Sequence, residues 1–91
     1  MKELDLIIVN RLGLHARASS KLVNLALRFT SNIYLEVISS GVKVNCKSIM
    51  GLMMLGVSSG TRIKIHVDGE DAHTALYSIE KLIKNRFGEP S

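Results

Sequence analysis

Strict alternation from Thr61 to Val67 constrains the fold of this chain more than any other feature. One face of this segment is aliphatic and the other polar: Ile63, Ile65 and Val67 against Arg62, Lys64 and His66. A period of two residues is typical of a half-buried β-strand. A strand with one wet face indicates an antiparallel sheet whose other face is covered by helices.

Two longer segments have the three- and four-residue spacing of amphipathic helices. The first runs from Ala16 to Phe29, with the apolar stripe Ala18, Leu22, Leu25, Ala26 and Phe29. The second follows Glu70 and Asp71, two acids that suit the positive end of a helix dipole. Its stripe is Ala72, Ala75, Leu76, Ile79, Leu82 and Ile83, and it is predicted to end near Phe87 and Gly88.

Shorter apolar segments complete the order of elements. Leu4–Val9 and Ile33–Ile38 are predicted strands, and Val42–Asn45 returns as a hairpin after a Ser-Ser-Gly turn. Ser48–Leu55 is predicted to be a short helix with Ser48 as its N-cap. The resulting β-α-β-β-α-β-α order predicts an α+β open-faced sandwich, a four-stranded antiparallel sheet with three helices on one face.

A length of 91 residues predicts a single domain over residues 1–91. TIM barrels, Rossmann dehydrogenases and kinases are excluded, because they need roughly 200 residues or more. A domain this small has a thin core with little room for a deep active site. Any chemistry is therefore expected on the surface.

The net charge of +4 is unevenly distributed along the chain. Glu36 is the only acid between Leu6 and Val67, a stretch that holds most of the basic residues: Arg11, Arg17, Lys21, Arg28, Lys43, Lys47, Arg62 and Lys64. Such a face suits an anionic partner, which could be nucleic acid, a phosphate group or an acidic protein. A solvated surface of mixed charge is the alternative. Scarce aromatic residues argue against a base-stacking surface.

Neither a metal, nor a cofactor, nor a membrane segment is predicted. Cys46 is the single cysteine, and His66 and His73 have no partners at ligand spacing, so both are predicted to be ordinary surface residues. Acidic residues near the start do not suit a signal peptide. The longest apolar run, Ile49–Val57, is shorter than the about 20 residues that span a bilayer. We expect a cytoplasmic protein.

The segment Gly13–Ser19 is the strongest candidate for chemistry. His15 directly precedes the first helix, whose leading N–H groups have no intrahelical acceptor and whose dipole is positive there. These features favour an anion, and Arg17 adds a donor fork suited to phosphate oxygens. An imidazole in this position has a nitrogen that can accept a phosphoryl group. The alternative is a surface histidine beside an unrelated arginine.

A second candidate segment is the short helix that follows Ser48. It is apolar nearly all round, so it is either fully buried or displays an apolar patch. We expect some of Ile49, Met50 and Met54 to face solvent or a partner. Ser48 is either a simple N-cap or a site for a phosphate at the helix terminus.

These two segments together resemble the histidine-containing phosphocarrier (HPr) family of the bacterial phosphoenolpyruvate:sugar phosphotransferase system. Gly13–Arg17 is similar to the phosphorylatable-histidine motif of the family. Lys47–Leu52 is similar to its regulatory-serine motif. The resemblance covers about Leu6 to Gly88, and both motifs occur in the family's order within the predicted layout.

The resemblance implies a stoichiometric phosphoryl carrier that is not itself an enzyme. Enzyme I would phosphorylate His15 on Nδ1, and an EIIA-type protein would receive the phosphoryl group. The Arg17 side chain and the backbone amides of Ala16 and Arg17 would stabilise the phosphoryl group during transfer. Ser48 matches a position that an HPr kinase/phosphorylase modifies in some bacteria. A monomer is expected, with no nucleic acid or membrane partner, and the implied docking residues are Lys21, Lys47, Ile49, Met50, Leu52 and Met53.

One departure from the motif leaves the output of the system open. The family usually has Pro where this chain has Ala18. Ala at this place is similar to a subset of HPr-like proteins in regulatory phosphotransfer chains. The alternative function is therefore a regulatory module whose His15 and Ser48 phosphorylation states signal to kinases or transcription regulators. A third alternative, a small nucleic-acid-binding domain, rests on the high isoelectric point alone.

Overall fold

The computed structural model describes the whole chain, Met1–Ser91. Its elements in chain order are β1 (Lys2–Ile7), α1 (Ala16–Ala26), β2 (Asn32–Val37), β3 (Lys43–Asn45), α2 (Ile49–Met54), β4 (Arg62–Asp68) and α3 (Ala72–Lys84). This is the predicted order. The largest differences are at the helix ends: α1 ends at Ala26 instead of Phe29, and α3 ends at Lys84 instead of near Phe87 and Gly88. Strand β1 begins and ends two residues earlier than predicted. None of the helices has the length and apolar character that crossing a membrane requires.

The four strands form one antiparallel sheet in the order β1-β4-β2-β3. Strand β4 is central, and its Ile65 lies opposite Leu4 of β1 and Leu35 of β2. Ile63, Ile65 and Val67 are fully buried under the helices, which confirms the predicted alternation. The open-faced α+β sandwich with three helices is therefore the observed fold.

The prediction that His66 is an ordinary surface residue is wrong. Its side chain is 8% exposed, although it lies on the face of the sheet away from the helices. Its Nδ1 is 3.2 Å from Glu3 Oε2 on β1, and its Nε2 is 2.7 Å from Glu36 Oε1 on β2. Because β4 is central, long side chains from both neighbouring strands cover the imidazole. His73, in contrast, is exposed on α3 as predicted.

The core lies between the sheet and the helices. It includes Leu22 of α1, Ile79 of α3 and Phe87 beyond α3. Cys46 is also fully buried there. Burial raises the pKa of the Cys46 thiol to about 12, because an apolar surrounding disfavours the thiolate. The thiol is therefore protonated and unreactive at neutral pH.

Asp71 joins the start of α3 to the loop between α1 and β2. Its carboxylate accepts hydrogen bonds from the backbone N–H groups of Thr30 and Ser31, at 2.9 and 3.0 Å, and from the Ser31 hydroxyl at 2.5 Å. These donors favour the ionised form, the Ser31 hydroxyl most, and lower the pKa of Asp71 to about 2. Asp71, which was predicted to lie at the start of a helix, therefore also binds a neighbouring loop.

We expect Asp71→Asn to lower the melting temperature at neutral pH, because an amide cannot accept all three hydrogen bonds. A depressed carboxyl pKa stabilises the fold above its unfolded value of 3.8, and this contribution is lost as the pH falls through about 2. The difference between wild type and variant should therefore shrink from about pH 4 downward in thermal melts. Glu70→Gln, at an exposed position next to Asp71, is the control. A difference that persists unchanged at pH 2 would contradict this account.

Candidate functional site

The backbone around His15 is held by several hydrogen bonds. His15 is the N-cap of α1, with φ −70° and ψ 179°, and its side chain does not cap the helix. Ahead of it, the N–H of Leu14 donates to Val57 O at 2.9 Å. On the other side, the Ser19 hydroxyl donates to Leu14 O at 3.0 Å. The predicted position of His15 directly before the helix is confirmed.

Gly13 makes the turn that presents His15. Its φ is +67°, and a Cβ atom there would lie 2.4 Å from the carbonyl oxygen of Val57. Only glycine combines a positive φ with so close a backbone contact. The turn also connects the two candidate segments, because Val57 follows α2 and α2 packs against α1.

The imidazole of His15 contacts a residue that sequence reasoning missed. Its Nε2 is 2.5 Å from Oε2 of Glu89, near the end of the chain. Glu89 also accepts a hydrogen bond from Asn10 Nδ2 at 3.1 Å. The bonds from His15 and then Asn10 hold the pKa of the Glu89 carboxyl below its usual value. No spacing in the sequence connects residues so far apart.

Arg17 lies in the first turn of α1 and is exposed. His15, Ala16, Arg17 and Glu89 all line one open cleft. The guanidinium of Arg17 makes neither an ion pair nor a hydrogen bond in this structure, so its donors remain available. The N–H groups of the first turn have no intrahelical acceptor, since the first bond of α1 runs from Ser19 N to His15 O. This cleft therefore combines an imidazole with several donors for an anion.

Ser48 is the N-cap of α2, as predicted. Its hydroxyl oxygen accepts a hydrogen bond from Gly51 N at 3.1 Å, and the residue is exposed. Next to it, the ammonium group of Lys47 donates to Phe29 O at 2.8 Å. The corresponding group of Lys21 donates to Phe87 O at 2.6 Å. Lys21 and Lys47, both expected to contact a partner, thus also make hydrogen bonds that connect distant parts of the fold.

Helix α2 has one buried and one exposed side. The residues predicted to face solvent or a partner, Ile49, Met50 and Met54, are exposed by 37%, 66% and 80%. Met53 is also exposed, by 45%. Leu52 is fully buried, so its inclusion among docking residues is wrong. The reason is helical geometry, since one position of a helix that packs on the core must point inward.

No group of three or more His, Cys, Asp or Glu side chains is arranged to hold a metal ion. The groups that line or border the cleft are the imidazole of His15, the carboxylate of Glu89, the guanidinium of Arg17 and backbone donors. These groups can receive an anion and accept a group on nitrogen, which is the chemistry of a phosphoryl acceptor.

Comparison with known proteins identifies the family. A model described as "PTS HPr component phosphorylation site" matches residues 2–85. Phosphocarrier protein HPr of Xylella fastidiosa (strain 9a5c) is 51% identical over 89 residues, 98% of each chain. Phosphocarrier protein HPr of Cupriavidus necator (strain H16) is 45% identical over 89 residues, again 98% of each chain. The chain belongs to the HPr family of the phosphotransferase system, whose members are phosphocarriers.

Solved structures agree with this assignment. HPr-C-His from Thermoanaerobacter tengcongensis is 43% identical with a TM-score of 0.94, and the alignment covers 100% of each chain. An HPr dimer from the same organism is 44% identical with a TM-score of 0.76, over 98% of this chain and 100% of that one. The dimeric relative stands against the expectation of a monomer.

Proposed function

We propose that His15 accepts a phosphoryl group from phospho-enzyme I and passes it to a histidine of an EIIA-type protein. One observation carries the proposal: His15 stands at the start of α1 with Nε2 engaged by Glu89 and Nδ1 without a hydrogen-bond partner. Nδ1 is therefore the ring nitrogen free to react. These partners imply a cytoplasmic location.

In the transfer, the lone pair of His15 Nδ1 attacks the phosphorus atom of the donor phosphohistidine. The new N–P bond forms as the donor's N–P bond breaks, and the electron pair of the broken bond returns to the donor imidazole. The backbone N–H groups of Ala16 and Arg17, together with the Arg17 guanidinium, stabilise the negative oxygens during transfer. The same contacts serve the reverse step, in which an EIIA histidine attacks phospho-His15.

The proposal is tested by incubating the chain with enzyme I and phosphoenolpyruvate, then measuring intact mass before and after acid treatment. We expect one added phosphoryl group that acid removes, because phosphohistidine is acid-labile. A chain that gains no phosphate, or gains one that survives acid, would contradict the proposal.

We expect Arg17→Ala to slow transfer from enzyme I roughly 10- to 100-fold. A charge-assisted hydrogen bond contributes about 1.5–3 kcal/mol, and this one forms only when a phosphoryl group is present. Stability should not change, since Arg17 is exposed and unpaired. Arg28→Ala, an exposed arginine beyond the other end of α1, is the matched control. Equal transfer rates in the two variants would remove Arg17 from the mechanism.

For docking we propose the face formed by α1 and α2, with Ile49, Met50 and Met53 at its apolar centre and Lys21 and Lys47 beside it. Their exposure on one short helix supports this assignment, and Met54 of the same helix is exposed as well. A partner with an acidic and apolar surface would fit it, because charge complementarity steers association while apolar burial stabilises the complex.

A regulatory role is the second candidate function, with Ser48 as the target of an HPr kinase/phosphorylase. It is favoured by the exposed serine at the start of α2 and by the similarity to Crh, the catabolite repression HPr of Bacillus subtilis, which is 40% identical with a TM-score of 0.65. A phosphate on Ser48 would add negative charge beside the docking residues. Incubation with that kinase and ATP tests this role, since phosphoserine survives acid whereas phosphohistidine does not.

A further inference from the structure

The last residues of the chain fold back over His15. Arg86, Phe87 and Gly88 have φ values of 55°, 55° and 78°, a left-handed turn that reverses the chain after α3. Phe87 inserts into the core and is 1% exposed. Beyond the turn, Ser91 O accepts a hydrogen bond from Arg11 N at 3.0 Å. Glu89 is thus anchored on both sides.

The carboxylate of Glu89 is fixed by a second hydrogen bond, from Asn10. This asparagine is fully buried, and its Nδ2 donates both to Gly13 O at 2.8 Å and to Glu89 Oε1 at 3.1 Å. Because both partners are acceptors, only the amide nitrogen can face them. The Oδ1 atom of Asn10 is left without a partner. Asn10 is therefore oriented toward Glu89 and the Gly13 turn at the expense of its own oxygen.

Glu89 reaches His15 with little exposure to water, since its side chain is 11% exposed and that of His15 is 27%. An ionised carboxylate only accepts hydrogen bonds, so Nε2 of His15 must carry the hydrogen in this contact. The neutral imidazole then has its lone pair on Nδ1. The other charged side chains near the ring are basic: Arg11 and Arg17 line the cleft, and Lys21 lies near Glu89.

We infer that Glu89 is a positioning residue for phosphoryl transfer, which holds the Nε2–H of His15 so that Nδ1 is the nucleophile and stabilises the charge of the phosphorylated ring. The inference rests on the proposed function of His15. As Nδ1 bonds to phosphorus and the donor's N–P bond breaks, the ring keeps its Nε2 proton and becomes cationic. A carboxylate at 2.5 Å stabilises that cation more than the neutral ring. Glu89 lies beyond residues 2–85 that the family model matches.

Glu89→Gln and Glu89→Ala test this role. Glu80→Ala is the control, because it removes a partly exposed carboxylate on α3 that does not line the cleft. Carboxylates that orient a metal-ligating imidazole through its second nitrogen change affinity or activity by roughly 10- to 100-fold, and Glu89 holds its imidazole in the same way. We expect transfer from enzyme I to slow by that factor in Glu89→Ala, and by about tenfold in Glu89→Gln, which keeps the shape but lacks the charge. Glu80→Ala should transfer at the wild-type rate.

The second readout is the tautomer of His15, measured by ¹⁵N NMR on the unphosphorylated chain. Wild type should show hydrogen on Nε2 and none on Nδ1 in the neutral ring, and both variants should shift toward a mixture of tautomers. An unchanged tautomer together with an unchanged rate in Glu89→Gln would overturn the role of Glu89 alone. A wild type that takes no phosphate from enzyme I would overturn the proposed function instead. Glu89→Gln keeps the volume of the side chain, and thermal melts check that it folds like wild type.

Discussion

We expect His15→Ala to abolish labelling by enzyme I and phosphoenolpyruvate, whereas His73→Ala should be labelled to the same extent as wild type. The chain has three histidines, and their surroundings differ. Both ring nitrogens of His66 are engaged by Glu3 and Glu36, and His73 is exposed on α3 away from the cleft. His73 is the second residue of α3, whereas only His15 directly precedes its helix and shares a cleft with an arginine of the first turn, Arg17.

The substitution should leave the fold intact, which makes the loss interpretable. His15 begins α1 through its carbonyl group, which accepts from Ser19 N, and its side chain does not cap the helix. Alanine keeps that carbonyl in place. Circular dichroism and thermal melts of the two variants provide the check. Full labelling of His15→Ala, or loss of labelling in His73→Ala, would contradict the assignment.

We expect Gly13→Ala to destabilise the protein by about 2–5 kcal/mol. A non-glycine residue in the left-handed region costs about 1–2 kcal/mol, and crowding a well-packed site adds about 1–3 kcal/mol. The new Cβ would lie 2.4 Å from Val57 O and 2.8 Å from Ser58 Cα, which are backbone atoms that cannot turn aside. Urea titration measures the loss. Transfer from enzyme I should also slow, because the shifted turn carries His15.

Gly41→Ala is the matched control for this substitution. Gly41 has a φ of +74°, close to the +67° of Gly13, but no atom lies within 4 Å of its would-be Cβ. It therefore isolates the conformational cost of about 1–2 kcal/mol. If the two variants lost equal stability, the close approach of Gly13 to Val57 would not be what requires glycine there.

Local features of the chain were predictable because local physics decides them. The alternation of β4 follows from the two-residue period of a pleated strand with one buried face. The start of α1 after His15 and the capping of α2 by Ser48 follow from groups within a few residues of one another. Family membership was also recognisable from two short motifs, and the comparisons confirm it.

The errors occurred where neighbours in space are distant in the chain. His66 is on the polar side of its strand, yet it is covered because the sheet order places β1 and β2 on either side of β4. Leu52 belongs to an apolar helix whose pattern alone does not say which residue faces the core. In both cases the burial of a side chain depends on which elements pack beside it.

By itself the sequence determined the order of elements, the positions of His15, Arg17 and Ser48 at helix starts, and the excess of positive charge around them. Only the tertiary structure decided that Glu89 completes the site. That contact joins residues 74 positions apart and depends on a left-handed turn after α3 and on the packing of Phe87. Periodicity and capping act over a few residues, so no local pattern could have predicted which carboxylate would reach the imidazole.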